Sequence, residues 1–444
     1  MAERPEPGVV GRIYGNLGRL LGGKAGAGLL SLAYLAVAAR ALGPADYGVL
    51  ILVHAYVMTV GGIIEFPGWH AVVRYGAQAA AAGDRPRLTR LLVFAGLVEA
   101  AAGVLAVGVA AILAPILGPQ LGWSPAAIEL AVPYSFAVLA SIRATPAGYL
   151  QLKGRFDLLG VHNLVAPAVR LAGSVVVISA DAGLRGFLIA WLIAALAEWA
   201  AMWGLGAYVA WGRHARADLS RGLAQVPQEN VGLWRFMLAA NLDVTVSELS
   251  GRLTPLAVGW MLGPAAAGLY AVAQRATAVL AQPAQILGQA AYAELAGLAA
   301  AGDRGPAIRA AVIRAGGIAL LAATPVCLII ALFGPRLAVL MAGQPFAAAG
   351  TLMLWLTLGR AVQLVAPPMT AALTALGRPD LSASANFVSG LGLLLVLPPL
   401  LDWRGLTGAG LHVVIQAAVG VGLLAICTWI QTGADRRLAA GARA

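Results

Sequence analysis

Charged residues are scarce in this sequence, and acidic ones are the scarcer kind. Asp, Glu, Lys and Arg make up 11% of the 444 residues, and 60% are hydrophobic, whereas soluble domains have about 25% charged residues. This composition excludes an ordinary soluble protein and a disordered chain. The net charge of +11 sits on a chain too apolar for a nucleic-acid-binding protein. It is what the positive-inside rule predicts for an integral membrane protein.

Cysteine is also nearly absent, and the sequence shows no pattern of metal ligands. Cys327 and Cys427 both fall in apolar stretches, where we expect small apolar side chains rather than a disulfide or metal framework. The five histidines have neither metal-ligand spacing nor a recognisable triad. We therefore expect no cofactor, no metal and no enzymatic activity. The first 20 residues lack a cleavable signal, so we also expect the first apolar span to be retained.

Apolar stretches of about 20 residues, long enough to cross a bilayer as helices, are what the sequence has in abundance. We predict an all-α membrane protein with twelve transmembrane helices, at about 20–41, 47–71, 91–115, 126–150, 158–180, 186–211, 234–260, 268–291, 309–333, 347–371, 381–401 and 406–430.

The distribution of cations between these spans predicts the orientation. With the N-terminus in the cytoplasm, 19 Lys and Arg residues fall on the inner side and four on the outer side: Arg40, Arg185, Arg336 and Arg404. This bias predicts that both termini are cytoplasmic in a multi-pass protein.

Three sequence blocks recur in the same order at offsets of 219 to 223, which indicates an internal duplication. They are Leu-Gly-Pro-Ala at 42–45 and 262–265, Ala-Gly-Asp-Arg at 82–85 and 301–304, and Gly-Arg-x-Asp at 154–157 and 377–380. Each copy spans six helices. We predict two six-helix bundles, 1–218 and 219–444, related by a pseudo-twofold axis along the membrane normal. The recurring glycines suit helix ends, and Asp157 and Asp380 could cap the helices that follow.

Ionisable residues within spans are the candidates for a functional site, because they are expensive in lipid. For an anionic substrate group, we predict binding by Arg170, Arg252, Arg275 and Arg360, with Lys24 and Arg143 as further candidates that snorkelling would also explain. Polar stripes at helical spacing favour a hydrated cationic cavity over internal salt bridges. Glu65, Asp243 and Glu248 could bind a coupling H⁺ or Na⁺, or pair with the arginines; the sequence leaves both open.

Residues 40–48, Arg-Ala-Leu-Gly-Pro-Ala-Asp-Tyr-Gly, resemble the early signature of Wzx-type polysaccharide-biosynthesis flippases, and residues 268–273 resemble the same pattern. This family lies within the multidrug/oligosaccharidyl-lipid/polysaccharide exporter superfamily. The resemblance implies two helix bundles around a central cavity, in the bacterial cytoplasmic membrane. It implies alternating-access translocation of a polyprenyl-pyrophosphate-linked oligosaccharide. Membrane lipid and polysaccharide assembly proteins would be its partners.

Two other functions stay open at this point. A cation-coupled multidrug exporter of the same superfamily would use acids such as Asp243. A membrane glycosyltransferase or polymerase would need a large outer loop or a cluster of catalytic acids, and neither is evident in the sequence.

Overall fold

The fold was analysed in a computed structural model, which describes residues 9–65, 68–210, 222–278 and 305–441, together with 291, 295 and 298. Within some of these helices only the backbone is described. By contacts, the chain divides into two compact units. The N-terminal unit comprises Met1–Leu42 and Val49–Thr245, and the C-terminal unit comprises Gly43–Gly48 and Val246–Ala444.

Long apolar helices account for most of the N-terminal unit, as predicted for an all-α membrane protein. Their bounds are α1 Val9–Ile64, α2 Trp69–Ala81, α3 Arg85–Leu117, α4 Pro125–Tyr134, α5 Ala144–Leu152, α6 Phe156–Ser179, α7 Gly183–Ala210, α8 Val226–Glu229 and α9 Leu233–Leu262. Helices α1 and α9 both continue into the C-terminal unit. A 3₁₀ segment, Ser135–Ser141, connects α4 to α5.

The C-terminal unit is also helical over its described residues. Its helices are α10 Pro264–Thr277, α11 Pro306–Ala342, α12 Ala349–Gln363, α13 Ala366–Ala375, α14 Pro379–Gly390, α15 Leu397–Arg404 and α16 Leu406–Gly441. A 3₁₀ segment, Gly392–Val396, connects α14 to α15.

Nine helical stretches of the described residues are long and apolar enough to cross a membrane. One of them, Gly22–Ile64, contains most of the first and of the second predicted span, because the helix continues through the kink at Gly43. The seventh predicted span corresponds to α9, and the eighth lies partly outside the described residues. The observed helices are consistent with the predicted twelve-helix layout.

Apolar side chains face outward over much of the helical surface. Val104, Leu321 and Leu332 are each more than 70% exposed. A soluble protein would not expose so many large apolar groups, whereas lipid solvates them without cost. The outer surface therefore agrees with a membrane environment.

One predicted span boundary is wrong. The second span was expected to run from 47 to 71, but α1 ends at Ile64 and a separate short helix, α2, begins at Trp69. Helix α2 is amphipathic, since one face is buried and Arg74 on the opposite side is exposed. The apolar start of α2 extended the apparent span.

The compact units do not coincide with the predicted halves 1–218 and 219–444. Val226 and Leu233 pack with Tyr75, Leu91 and Met237 in one apolar cluster. The Arg90 guanidinium also pairs with Glu229 at 2.6 Å. These contacts hold the start of the second sequence copy in the N-terminal unit. The division into halves at residue 218 therefore stays a prediction about the duplicated sequence.

The recurring Leu-Gly-Pro-Ala blocks form the same joint in both copies. Gly43 and Gly263 have φ values of +68° and +83°, which favour glycine, and Pro44 and Pro264 begin the helical turns that follow. Within the C-terminal unit the two blocks also touch. A Cβ at Gly48 would lie 1.7 Å from the carbonyl oxygen of Pro264, so only glycine permits this approach.

The Gly-Arg-x-Asp blocks also fold alike, although Asp157 and Asp380 do not form the predicted side-chain caps. Each aspartate instead accepts hydrogen bonds from the arginine two residues before it: Arg155 Nη2 lies 2.8 Å from Asp157, and Arg378 Nη2 lies 3.0 Å from Asp380. The hydrogen bond raises the pKa of the Arg155 guanidinium. These residues shape the connections between helices, as an architectural role requires.

Candidate functional site

Arg170 lies near the middle of α6, where a charge is hardest to accommodate in a membrane. Its guanidinium donates from Nη1 to the Tyr34 hydroxyl at 3.2 Å and from Nη2 to His54 Nε2 at 3.2 Å. Tyr34 and His54 both belong to α1, on either side of the kink at Gly43. The N-terminal unit therefore places a cation and two polar partners together within its spans.

The hydrogen bonds determine the form of His54. A guanidinium can only donate, so His54 Nε2 is an acceptor and the imidazole is neutral in this arrangement. The remaining proton is on Nδ1, which donates to the Tyr134 hydroxyl at 2.9 Å. The positive charge of the group consequently stays on Arg170.

Aromatic rings enclose the guanidinium. The Cζ atom of Arg170 lies 4.4 Å from the centroid of the Trp191 ring and 5.5 Å from that of Tyr34. Trp191 is 2% exposed and meets the rings of Tyr34 and His54 edge to face. A cation over an aromatic face gains about 0.5–2 kcal/mol, with the larger value at desolvated sites. These five residues are the Arg170 cluster: Tyr34, His54, Tyr134, Arg170 and Trp191.

Two donors of the Arg170 cluster are unused. Arg170 Nε and Trp191 Nε1 are buried and have no hydrogen-bond partner among the described residues. Leaving a buried donor unsatisfied costs about 1–3 kcal/mol, and more for a charged group. Because both groups can only donate, the ligand that would satisfy them is an acceptor, and an anion suits the charge of Arg170.

A break in the fourth span lies in the same unit. The 3₁₀ segment ends at Ser141, and α5 begins at Ala144. The carboxylate of Glu99, on α3 and 1% exposed, accepts from the backbone N–H groups of Ala144 and Thr145. An anion at the first turn of a helix is stabilised by the free N–H groups and the helix dipole. Glu99 thereby replaces the backbone partners that the break removes.

Arg143 is the residue immediately before α5, and its guanidinium forms an ion pair with Glu198 of α7. The two side chains are 35% and 17% exposed. His162 Nε2 donates to the backbone oxygen of Glu198 at 3.0 Å, and Trp203 Nε1 donates to the Ile142 oxygen at 2.9 Å. The alternative of internal salt bridges thus describes Arg143 in this structure. Among the described residues, no carboxylate forms a salt bridge with Arg170.

The remaining candidates of the N-terminal unit are Lys24, Glu65 and Asp243. Lys24 is exposed on α1, and Glu65 follows the end of the same helix and is half-buried. The backbone of Asp243 belongs to α9, but its side chain lies outside the described residues.

Three predicted arginines belong to the C-terminal unit. Arg252 is half-buried on α9, and Arg275 and Arg360 occupy the last turns of α10 and α12. The charge of Arg360 interacts with the buried phenol of Tyr270. The side chain of Glu248 lies outside the described residues, so its pairing with an arginine stays one of the two open alternatives.

Sequence reasoning missed several members of these groups. His54 was set aside because the histidines are scattered, yet it contacts Arg170 directly. Glu198 is an acid within the predicted span 186–211, but the sequence does not connect it to Arg143. Its position in lipid was itself a signal, because a buried carboxylate requires a partner. Nothing in the sequence indicated a functional role for Trp191, since tryptophan is common in membrane helices.

Comparison with known proteins identifies the family. A model of the family described as "Polysaccharide biosynthesis protein" matches residues 37–349, which is more than half of the chain. The chain belongs to this family. Among curated proteins, it is 29% identical to the inner membrane protein YghQ of Escherichia coli (strain K12) over 267 residues, or 60% of this chain and 75% of that protein.

Solved structures share the fold. The chain resembles an inward-facing MATE family transporter of the MOP superfamily with a TM-score of 0.72 and 15% identity, covering 93% of this chain and 96% of the other. It resembles the lipid II flippase MurJ with a TM-score of 0.67 and 13% identity, covering 91% and 86%. The predicted family resemblance is confirmed: this is a multi-pass membrane protein of polysaccharide biosynthesis with the MOP-superfamily transporter fold.

Proposed function

We propose that the protein is a flippase for a polyprenyl-pyrophosphate-linked oligosaccharide, with the Arg170 cluster binding the anionic head group. The observation that supports this most strongly is the pair of buried, unused donors, Arg170 Nε and Trp191 Nε1, around a cation within the spans. The pyrophosphate is the anionic group that all such lipids share, whatever their sugars.

The chemistry of the head group fits the cluster. A guanidinium presents a planar fork of donors that matches phosphate oxygens, and its charge persists at every physiological pH. The Tyr34 and His54 contacts fix the plane of that fork. The polyprenyl tail would stay in lipid while the sugars meet polar side chains. We propose that Arg252, Arg275 and Arg360 of the C-terminal unit, and Lys24 and Arg143 of the N-terminal unit, provide further cations.

The setting of this activity is proposed to be the bacterial inner membrane, with both termini in the cytoplasm and the two halves alternating about the bound substrate. Moving a negative charge to the positive outer side gains about 2.3 kcal/mol per 100 mV. The membrane potential alone therefore favours export of an anionic head group, and H⁺ or Na⁺ binding at Glu65, Asp243 or Glu248 would add to it. Polysaccharide assembly proteins would receive the product.

A deletion strain tests the proposal. Without the gene, surface polysaccharide should be lost and lipid-linked oligosaccharide should accumulate in the inner membrane, and the wild-type gene should restore both. Arg170→Ala should fail to restore export although the protein inserts at normal levels, because the head group loses its main cation. Normal surface polysaccharide in the deletion strain, with increased drug sensitivity, would indicate the multidrug-exporter alternative instead.

A further inference from the structure

The Arg143–Glu198 ion pair is not needed to hold the helix break beside it. The carboxylate of Glu99 satisfies the first N–H groups of α5, and Trp203 satisfies the carbonyl of Ile142. The α7 backbone is tied to α6 by the hydrogen bond from His162 to the Glu198 oxygen. The backbone is therefore secured by other groups, and the Glu198 carboxylate contributes an ion pair alone.

The pair is also open to exchange. Arg143 is 35% exposed and Glu198 17% exposed, although both lie within a membrane protein's spans. Because both side chains are partly exposed, a competing anion can reach the guanidinium and replace the carboxylate.

From this arrangement we propose that Arg143 is a second anion-binding cation in the same unit as the Arg170 cluster, and that proton binding at Glu198 controls its availability. This inference rests on the proposed anionic substrate. A phosphate group takes the place of Glu198 on Arg143. The displaced carboxylate then takes up one proton from water, because an unpaired charge in the membrane is expensive.

Anion and proton binding are then linked with a definite sign. The proton neutralises the carboxylate that competes for Arg143, so each ligand strengthens the binding of the other. Anion affinity should rise as the pH falls. At high pH the ionised Glu198 retains Arg143, and the anion meets Arg170 alone.

Other titratable groups near Glu198 must be separated from it. From α6 these are His162 and Arg170, and from α3 Glu99 acts on Arg143. His54, which contacts Arg170, is a further group whose protonation would favour an anion. Among these groups, Glu99 is already stabilised by two backbone N–H groups. If a histidine were responsible, the pH dependence of anion binding would persist when Glu198 is replaced. This outcome distinguishes the histidines from Glu198.

The test measures anion affinity across the pH range on the purified full-length protein in lipid nanodiscs. The probes are inorganic pyrophosphate and a polyprenyl pyrophosphate, so that a soluble phosphate and a lipid head group are compared directly. For the wild type we expect affinity to rise about tenfold from mildly alkaline to mildly acidic pH, within the usual range of such couplings. Glu198→Gln should bind tightly and equally at every pH, and Glu198→Asp should restore the pH dependence. Arg143→Gln should bind weakly throughout.

Glu229→Gln is the matched control, because it also breaks an arginine–glutamate pair of the N-terminal unit, with Arg90, away from the Arg170 cluster. It should keep the pH dependence of the wild type. An unchanged pH slope in Glu198→Gln would overturn the inference, and so would weaker anion binding by Glu198→Gln when that variant unfolds at the wild-type temperature. Either result leaves the flippase proposal intact. If the wild type bound neither probe, the proposed function would fail first.

Discussion

At the scale of single residues, Arg170 illustrates how a membrane protein stabilises an isolated cation. Its partners are a phenol, an imidazole nitrogen and an indole face, all of them neutral groups. Neutral partners stabilise the guanidinium without cancelling its charge. By contrast, Arg143 is neutralised by a carboxylate. Residue type alone could not separate these two cases, because the distinction depends on which helices become neighbours.

The aromatic face of Trp191 should matter for transport. We expect Trp191→Leu to lower transport several-fold, since the cation–π contact is worth about 0.5–2 kcal/mol and its loss frees the guanidinium to rotate. Trp191→Phe keeps a ring under Arg170 and should retain most of the activity. Export of surface polysaccharide in a complemented deletion strain measures both. Equal activity of the Leu and Phe variants would show that the ring is only packing.

At the scale of secondary structure, the broken fourth span is the feature that positions both Arg143 and the elements around it. An unbroken helix would satisfy its own backbone, which lipid requires. Here Glu99 of α3 supplies the missing acceptors for α5. The sequence predicted one apolar span at 126–150, because hydropathy does not reveal a 3₁₀ segment or a break. It did show an acid at position 99 within a span.

We expect Glu99→Gln to destabilise the protein. An amide can replace one of the two acceptor oxygens but not the charge, and a hydrogen bond to a charged group contributes about 1.5–3 kcal/mol. The midpoint of thermal unfolding of the purified protein should fall by several degrees. Glu129→Gln, at an exposed position on α4, is the control and should unfold like the wild type. If both variants unfolded alike, the capping role of Glu99 would be refuted.

The helix ends in the recurring sequence blocks were the part of the fold that the sequence predicted best. The glycines at 43, 154, 263 and 377 all have positive φ values, as expected for residues that end one helix before the next begins. The direct approach of Gly48 to Pro264 was not foreseeable. It depends on tertiary contact between the two sequence copies, whereas a positive φ is a local property.

At the scale of the whole molecule, the composition and the spacing of apolar stretches were sufficient for the fold class. Nine membrane-length helices among the described residues and the likeness to MOP-superfamily structures both agree with it. The site was harder to predict from the sequence, because the sequence does not show which ionisable residues of distant spans become neighbours. Arg170 was recognised, but its aromatic and histidine neighbours were not recognised as a group.

Orientation can be tested directly. We expect a cysteine introduced at Lys153 to be protected in intact cells from a membrane-impermeant maleimide, and one at Asp402 to be labelled, because the cation bias places them on opposite sides. The native Cys327 and Cys427 would first be replaced by alanine. Labelling at Lys153 with protection at Asp402 would reverse the proposed topology.

The central claim, that a cation of the Arg170 cluster recognises a pyrophosphate-linked lipid during translocation, is tested most directly by reconstitution. Purified protein in liposomes should move a polyprenyl-pyrophosphate oligosaccharide between leaflets, as measured by accessibility of its sugar to an external lectin. Arg170→Ala should reduce this rate at least tenfold, and Arg170→Lys should retain part of it because the charge remains. Translocation by Arg170→Ala at the wild-type rate would contradict the account.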